Sequence, residues 1–292
     1  MKIEPSVNVS EKEALMSLNY SVLMSVYARE TPEYLKKAID SMINQTVPTN
    51  DFVLVCDGPL TDDLDRIIVD FQNKCPNLFN IIRLPQNQGL GHALNIGLKS
   101  CKHDLVARMD SDDISLPERC QLQLNMFQRE PELALCSGNI AEFETDITHI
   151  TGIRYVPTSY GEILQFAKKR NPMNHMAVMY RKHAVINCGN YVEMSLAEDY
   201  YLWARMLHKG YYAINLDKVL VYARIGNGMY ARRGGLAYAR KIYALQKKLL
   251  QIQFISLTEF IFNCIVRILS SMVPIPIRKI IYLKKLRNRV EE

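Results

Sequence analysis

From Tyr20 to Gly138 short apolar runs alternate with amphipathic stretches, and this rhythm limits the available folds more than any other feature of the chain. "YSVLMSVY" (Tyr20–Tyr27), "FVLVCDG" (Phe52–Gly58), "FNIIRL" (Phe79–Leu84), "DLVARMD" (Asp104–Asp110) and "ELALCSG" (Glu132–Gly138) have the length and composition of buried strands. Between them lie "TPEYLKKAIDSMINQ", "TDDLDRIIVDFQ", "GHALNIGLKS" and "LPERCQLQLNMFQRE", each with apolar residues at helical spacing. Thr31 and Thr61 are good N-caps, Pro32 suits a first helical position, and Glu33 complements the positive helix end. Strands joined through helices imply right-handed crossovers. The expected fold is therefore α/β: a Rossmann-like, mostly parallel central sheet flanked by helices on both faces.

Past residue 150 the pattern loosens. "YGEILQFAKKR" reads as a helix, "HMAVMYRKHAVI" as a strand running into a helix, and "EDYYLWARMLHKG" as a helix ended by Gly210. "YYAINLDKVLVYARI" has the look of paired strands. These readings divide the chain into a polar lead-in (1–18), a main domain (19–240) and a basic, amphipathic helical extension (241–292).

That extension holds the most apolar stretch, "FISLTEFIFNCIVRILSSMVPIPI" (Phe254–Ile277), long enough for a membrane span. Glu259, Asn263 and Arg267, however, recur every four residues as one polar stripe, and Pro274 and Pro276 stop the helix. Periodicity leaves open a helix lying in a membrane interface or one packed on the domain. Six of the Lys and Arg behind the net charge of +6 fall between Arg278 and Arg289, which favours an anionic membrane surface. This tail has no aromatic residue except Tyr282, so nucleic acid is not the expected partner. The seven cysteines form no C-x-x-C pair and are odd in number, which argues against a zinc ribbon or a secreted disulfide framework. The N-terminus has no apolar core of signal-peptide length, so a cytoplasmic, peripheral location is expected.

In open α/β sheets ligands bind beyond the carboxyl ends of the strands. The first strand is followed by Ser25, Tyr27, Arg29 and Glu30, the second by Asp57 and Gly58. The third leads into "NQGLGHALNIG", and the fourth into Asp110-Ser111-Asp112-Asp113. Asp110 and Asp112 are two apart and can face the same way at a strand end. Crowded carboxylates repel, and a divalent cation, Mn²⁺ or Mg²⁺, bridging to a diphosphate resolves that conflict. A helix cap at Pro117 would need only one of the acids. Gly89-x-Gly91 looks like the start of a dinucleotide fingerprint, but it follows the third strand and its third glycine position holds Leu94. Asn87, Gly89, Gly91 and Asn95 are better read as shaping a turn that aims a helix start at an anion or sugar, with His92 near it.

Two further groups carry chemistry. Glu198 and Asp199 open a helix whose next residues are aromatic and apolar, placing a carboxylate at a cleft wall as general base for a hydroxyl nucleophile. Arg224, Arg232 and Arg233 lie in the glycine-rich "YARIGNGMYARRGG". This is either a loop closing over a diphosphate or acceptor, or a basic surface loop beside a membrane.

Taken in order, "SVLMSVYARE", "NQT", "CDGPLTDDL", "NQGLGHALNIGL", "VARMDSDDISLPER" and "EDYYLWARM" resemble the family 2 glycosyltransferases of GT-A fold over roughly Tyr20 to Arg240. Within that family the chain is similar to bacterial enzymes of capsular, exopolysaccharide (amylovoran-type) and O-antigen synthesis. The resemblance implies an inverting, metal-dependent transfer from a nucleotide-sugar donor, a UDP-sugar, to a saccharide acceptor that is lipid-linked. It implies that Ser25, Tyr27 and Glu30 line the nucleotide pocket, that Asp57 binds the base, and that Asp110 reaches ribose or sugar. Asp112, with Asp110, would hold the metal; Arg108 and Asp113 would support the site, and Arg108 and Ser111 would be among the residues that bind the nucleotide-sugar. Asp199 would be the base, with Glu198 orienting it or touching acceptor. Ser25 stands where many members have proline, and Ala28 where many have asparagine. A sugar nucleotidyltransferase would carry a glycine-rich basic loop after the first strand, and "SVYARETPE" has none. A non-catalytic membrane-surface partner would lack the metal acids or the base.

Overall fold

The first strand, β1 (Tyr20–Val26), sits inside the sheet, with β2 (Phe52–Cys56) and β3 (Phe79–Arg83) added in parallel on one side and β4 (Leu105–Asp110) on the other. The structure, a computed structural model, describes residues 18–194, 196–226 and 234–273. Three crossover helices join these strands: α1 (Pro32–Ile43), α2 (Asp62–Lys74) and α3 (Leu90–Ser100). Thr61 accepts a hydrogen bond from the Leu64 amide and so caps α2 as its sequence predicts. Strands are added on one side of β1 as far as β3 and on the other side from β4, so the carboxyl ends of β1 and β4 flank a switch point. Ser25 pairs directly with Asp110 across it.

Beyond β4 the sheet is mixed. After β5 (Ile114–Ser115) and α4 (Arg119–Arg129), the long β6 (Leu133–Phe143) is followed by β7 (Ile150–Arg154), α5 (Tyr160–Ala167), β8 (Met179–Arg181) and α6 (Lys182–Asn187). The full order is β3-β2-β1-β4-β8-β6-β9-β5, with β7 on β6. The three-residue β8 runs antiparallel to both β4 and β6. Buried side chains from α4 secure this region: Arg119 donates to the carbonyls of Arg108 and Val178, and Gln123 to those of Cys136 and Ala177. Such fully partnered buried groups fix strand positions that three residues of ladder alone would hold weakly.

The expected pair of strands after α7 (Glu198–His208) is one 13-residue strand, β9 (Tyr212–Arg224), parallel to β6. The polar Asp217-Lys218 that reads as a turn is a bulge, since Leu216 pairs with Gly138 and Val219 with the next residue, Asn139. A Cβ at Gly138 would lie 2.7 Å from Leu220 Cδ1, so the close approach there needs glycine. Two apolar cores fill the faces of the sheet, one beneath α1, α2 and α4, the other beneath α3, α5, α6 and α7.

Helix α8 (Gly235–Gln251) crosses the boundary drawn at residue 240, and Leu245, Leu249, Phe254 and Ile255 join the second core, so the extension packs on the domain. In α9 (Leu257–Met272) the polar stripe turns inward: Asn263, 4% exposed, donates to the Lys168 carbonyl and to Gln246 Oε1. Glu259 closes a capping box with Ser256 and pairs with Lys168 at 3.5 Å. The apolar side of α9 faces outward. Among the described residues, no helix is long and apolar enough to cross a membrane.

Candidate active site

The ends of β1, β2 and β4, the start of α3 and the end of β9 enclose a cavity of about 730 Å³. Of the expected nucleotide-sugar residues, Ser25, Tyr27, Glu30, Asp57, Arg108, Asp110 and Ser111 line it, together with Asp112 and Asp113. Glu30 is held on both oxygens, by the Thr31 amide (2.8 Å) and by the Ser111 hydroxyl (2.5 Å). It thereby joins the turn after β1 to the turn after β4.

Asp57 has a structural task the sequence does not announce. Its carboxylate accepts the amides of Gln88 (2.8 Å) and Gly89 (3.0 Å), pinning the β3–α3 loop over the strand end. Gly58 has φ +91°, and a Cβ there would come within 2.7 Å of the Asn87 amide nitrogen. Each carboxylate oxygen of Asp57 accepts one of these bonds, and Asp57 lines the cavity with acceptor capacity left, because an ionised carboxylate has about four acceptor positions.

The acidic turn is crowded. Burial, Asp110 and Glu30 push the Asp112 carboxyl up to about 7. Burial, with Asp112 and Asp110 beside it, holds Asp113 well above the usual carboxylate range. Asp113 accepts the Arg224 amide at 2.7 Å, and Asp110 pairs with Arg108. Asp112 and Asp110 are hard oxygen donors whose mutual repulsion a divalent cation would relieve, so the donor set fits Mn²⁺ or Mg²⁺. Among the described residues no three acidic, His or Cys side chains gather closely enough to hold a metal alone.

Arg224, expected in a loop over a diphosphate or acceptor or in a basic surface loop, is the last residue of β9 and is engaged there. Its Nε donates to the Asp112 carbonyl, and its guanidinium lies 3.6 Å from the Tyr34 ring centre and 4.5 Å from that of Phe143. It ties the end of β9 to the acidic turn while lining the cavity. Arg232 and Arg233 lie outside the described residues.

Two residues of the glycine turn support the site instead of lining the cavity. Asn95 uses both ends of its amide on Tyr191, accepting its N–H at 2.9 Å and donating to its carbonyl at 2.7 Å. A Cβ at Gly91 would lie 3.5 Å from Tyr191 Cβ and 3.8 Å from Glu198 Cβ, so the start of α3 abuts the start of α7. Asn87, Gly89 and Leu90 provide the lining there.

Glu198 and Asp199 stand at that N-terminus, just past Leu196, which lines the cavity; neither carboxylate lines it directly. Burial, with Asp199 adding to it, raises Glu198. Burial also raises Asp199, opposed by the Tyr200 amide, by Asn171 Nδ2 at 2.6 Å, and by Arg108 and Arg154. Such a carboxyl is a stronger proton acceptor than an exposed aspartate. Arg108, 1% exposed, is thus the shared cation: it pairs with Asp110 and also opposes charging costs at Asp112, Asp113, Glu198 and Asp199. His175, which the sequence reading missed, lines the cavity beside it. Burial and Arg108 hold its pKa well below the ordinary value, and it contacts the Tyr191 hydroxyl at 3.1 Å. Its run, "NHMAVMY", carries no spacing that marks a ligand.

Comparison with known proteins places this geometry. Residues 21–188, more than half of the chain, match the profile of Glycosyl transferase family 2. The amylovoran biosynthesis glycosyltransferase AmsE of Erwinia amylovora is 37% identical, over 91% of this chain and 98% of its own. The UDP-Gal:α-D-GlcNAc-diphosphoundecaprenol β-1,3-galactosyltransferase of Escherichia coli is 35% identical, over 92% and 97%. The structure of S. aureus TarS 1–349 in complex with UDP-GlcNAc shares the fold, with a TM-score of 0.65 and 19% identity over 92% of this chain and 76% of that one. The sheet, the acidic turn and these relatives agree, and the chain belongs to the family 2 glycosyltransferases.

Proposed function

We propose that the protein transfers a hexosyl or N-acetylhexosaminyl group from a UDP-sugar to a hydroxyl of a lipid-linked saccharide during synthesis of a bacterial surface polysaccharide, with inversion at the anomeric carbon. The observation that carries this reading is the placement of two carboxylate groups, Asp110-Asp112-Asp113 and Glu198-Asp199, around one buried Arg108. The relatives supply the substrate classes: one acts with UDP-Gal on a GlcNAc-diphosphoundecaprenol, another in amylovoran biosynthesis.

In this reading Asp57 takes the N3–H of uracil, and Ser25 and Tyr27 flank the nucleoside. Asp112 and Asp110 would hold Mn²⁺ or Mg²⁺, which offsets charge on the departing diphosphate. Asp199 removes the proton from the acceptor hydroxyl, and its Asn171 bond fixes the carboxylate's orientation. The acceptor oxygen bonds to the anomeric carbon as the bond to the diphosphate oxygen breaks, and this single displacement inverts the centre. Glu198 orients the acceptor at the same helix end. A lipid-linked acceptor places the protein at the cytoplasmic face of the inner membrane, as a peripheral protein on an anionic surface.

The test is donor binding, measured by thermal shift with UDP-, dTDP- and GDP-sugars, with and without Mn²⁺, on the wild type and Asp112→Ala. Stabilisation by UDP-sugars that needs Mn²⁺ and disappears in the variant is expected. No metal-dependent shift with any nucleotide would refute both the donor and the metal assignment.

A further inference from the structure

Helix α9 is amphipathic, but it packs with its polar side inward. Leu257, Ile261, Phe262, Ile265, Val266 and Leu269 lie on one side of the helix at about 100° per residue, and each is between 47% and 63% exposed. The opposite side is fixed to the domain by Asn263 on the Lys168 carbonyl and Gln246, and by Glu259 on Lys168. The orientation is therefore specified: inverting the helix would bury its apolar side and forfeit three polar contacts at once. Isolated exposed apolar residues are ordinary, but six in one stripe mark a surface that meets something apolar.

Charge identifies the partner. Residues 234–292 hold eleven Lys and Arg against three Glu, an excess larger than the whole-chain net charge of +6. On α8, beside this helix, Arg240, Lys247 and Lys248 are exposed, and the Tyr243 ring packs 5.9 Å from Phe260. Immediately beyond the described residues the sequence adds the six cations between Arg278 and Arg289. Two copies meeting through such a surface would bring like charges together, whereas an anionic bilayer satisfies both the apolar stripe and the cations. With one side apolar and the other polar, α9 matches a helix that lies in the interface plane.

We propose that the outward face of α9, with the exposed basic residues of α8 on the neighbouring helix, is a docking surface for an anionic phospholipid bilayer. The choice of partner rests on the membrane-side function above, while the surface itself is independent of sugar transfer. The experiment is co-sedimentation of the full chain with vesicles of phosphatidylglycerol and phosphatidylcholine in equal parts, against vesicles of phosphatidylcholine alone. Ile265→Gln/Leu269→Gln, which changes no charge and keeps good helix formers, is compared with the wild type. A second variant neutralises Lys284, Lys285, Arg287 and Arg289 to glutamine.

Wild type should bind the anionic vesicles, weaken with salt, and lose roughly tenfold or more of its affinity in the α9 variant. The tail variant should weaken binding but retain some. Both variants should keep the wild-type melting temperature and the UDP- and Mn²⁺-dependent thermal shift. Wild-type vesicle binding by the α9 variant would overturn the proposal, because the tail alone would then suffice. A change from dimer to monomer by light scattering with unaltered vesicle binding would assign the face to a second copy instead. Absent vesicle binding with an intact nucleotide shift would refute the surface alone, and the converse would refute the transferase reading alone.

Discussion

The two acidic groups of the site are built in opposite ways. At the end of β4, three aspartates share one turn: burial, with Asp110 and Glu30, raises Asp112, and burial, with Asp112 and Asp110, raises Asp113. At the start of α7, Asp199 is raised by burial and steadied by a backbone amide and by Asn171. In the first group the carboxylates repel one another across one turn, whereas in the second burial is the larger cause and hydrogen bonds from an amide and Asn171 oppose it. In the proposed function that difference would separate a place for a cation and diphosphate from a place for a proton.

The comparison breaks most severely at Asp199. Asp199→Asn should lower kcat/KM by about 10²–10⁴ while leaving nucleotide binding intact, read by steady-state kinetics beside calorimetry. Its folded pKa is raised, so its contribution to stability is fully present below the ordinary aspartate pKa and is lost as pH rises through the folded value. Asn cannot ionise, so thermal melts of the variant should lose less stability from acid to neutral pH than those of the wild type. The same direction of shift moves the rising limb of the wild-type kcat/KM–pH profile above the ordinary aspartate range.

Asp112→Asn should sharpen the contrast from the other side. Titration calorimetry should show Mn²⁺-dependent UDP binding weakened by about tenfold or more, with any metal-independent nucleotide affinity unchanged. A smaller effect is expected at Arg224, which ties two backbone segments and sits between two rings. Arg224→Lys should retain the charge but loosen the acidic turn, costing about 1–2 kcal/mol in urea unfolding and a few-fold in Mn²⁺-dependent UDP affinity. Smallest is Asn95→Ala, which frees Tyr191 and should cost about 1 kcal/mol of stability with a modest drop in kcat.

How much of this the sequence discloses depends on how local each signal is. The parallel β1–β4 unit and its loaded strand ends follow from residue spacing within about thirty residues. Asp110, Asp112, Asp57 and Glu30 were therefore legible as a group before any coordinates. The far half is set by long-range pairing: β8 has three residues, and the Asp217-Lys218 bulge resembles a turn because only its partner, Gly138, shows that the strand continues. The place of His175 and the ring contacts of Arg224 were hidden for a related reason, since a position beside Arg108 or between Tyr34 and Phe143 leaves no mark in sequence. Periodicity found the polar stripe of α9 but could not say which side faced the domain, because that depends on the Lys168 carbonyl nearly a hundred residues away.

The pinning of the β3–α3 loop by Asp57 constrains how this enzyme could change over evolutionary time. If the same carboxylate also reads the base, then any exchange there alters recognition and loop position together. Drift in donor preference would run instead through neighbours such as Ser25 and Tyr27, which line the cavity without holding the loop in place. A designer seeking a different nucleotide would start at those two positions and leave Asp57 alone.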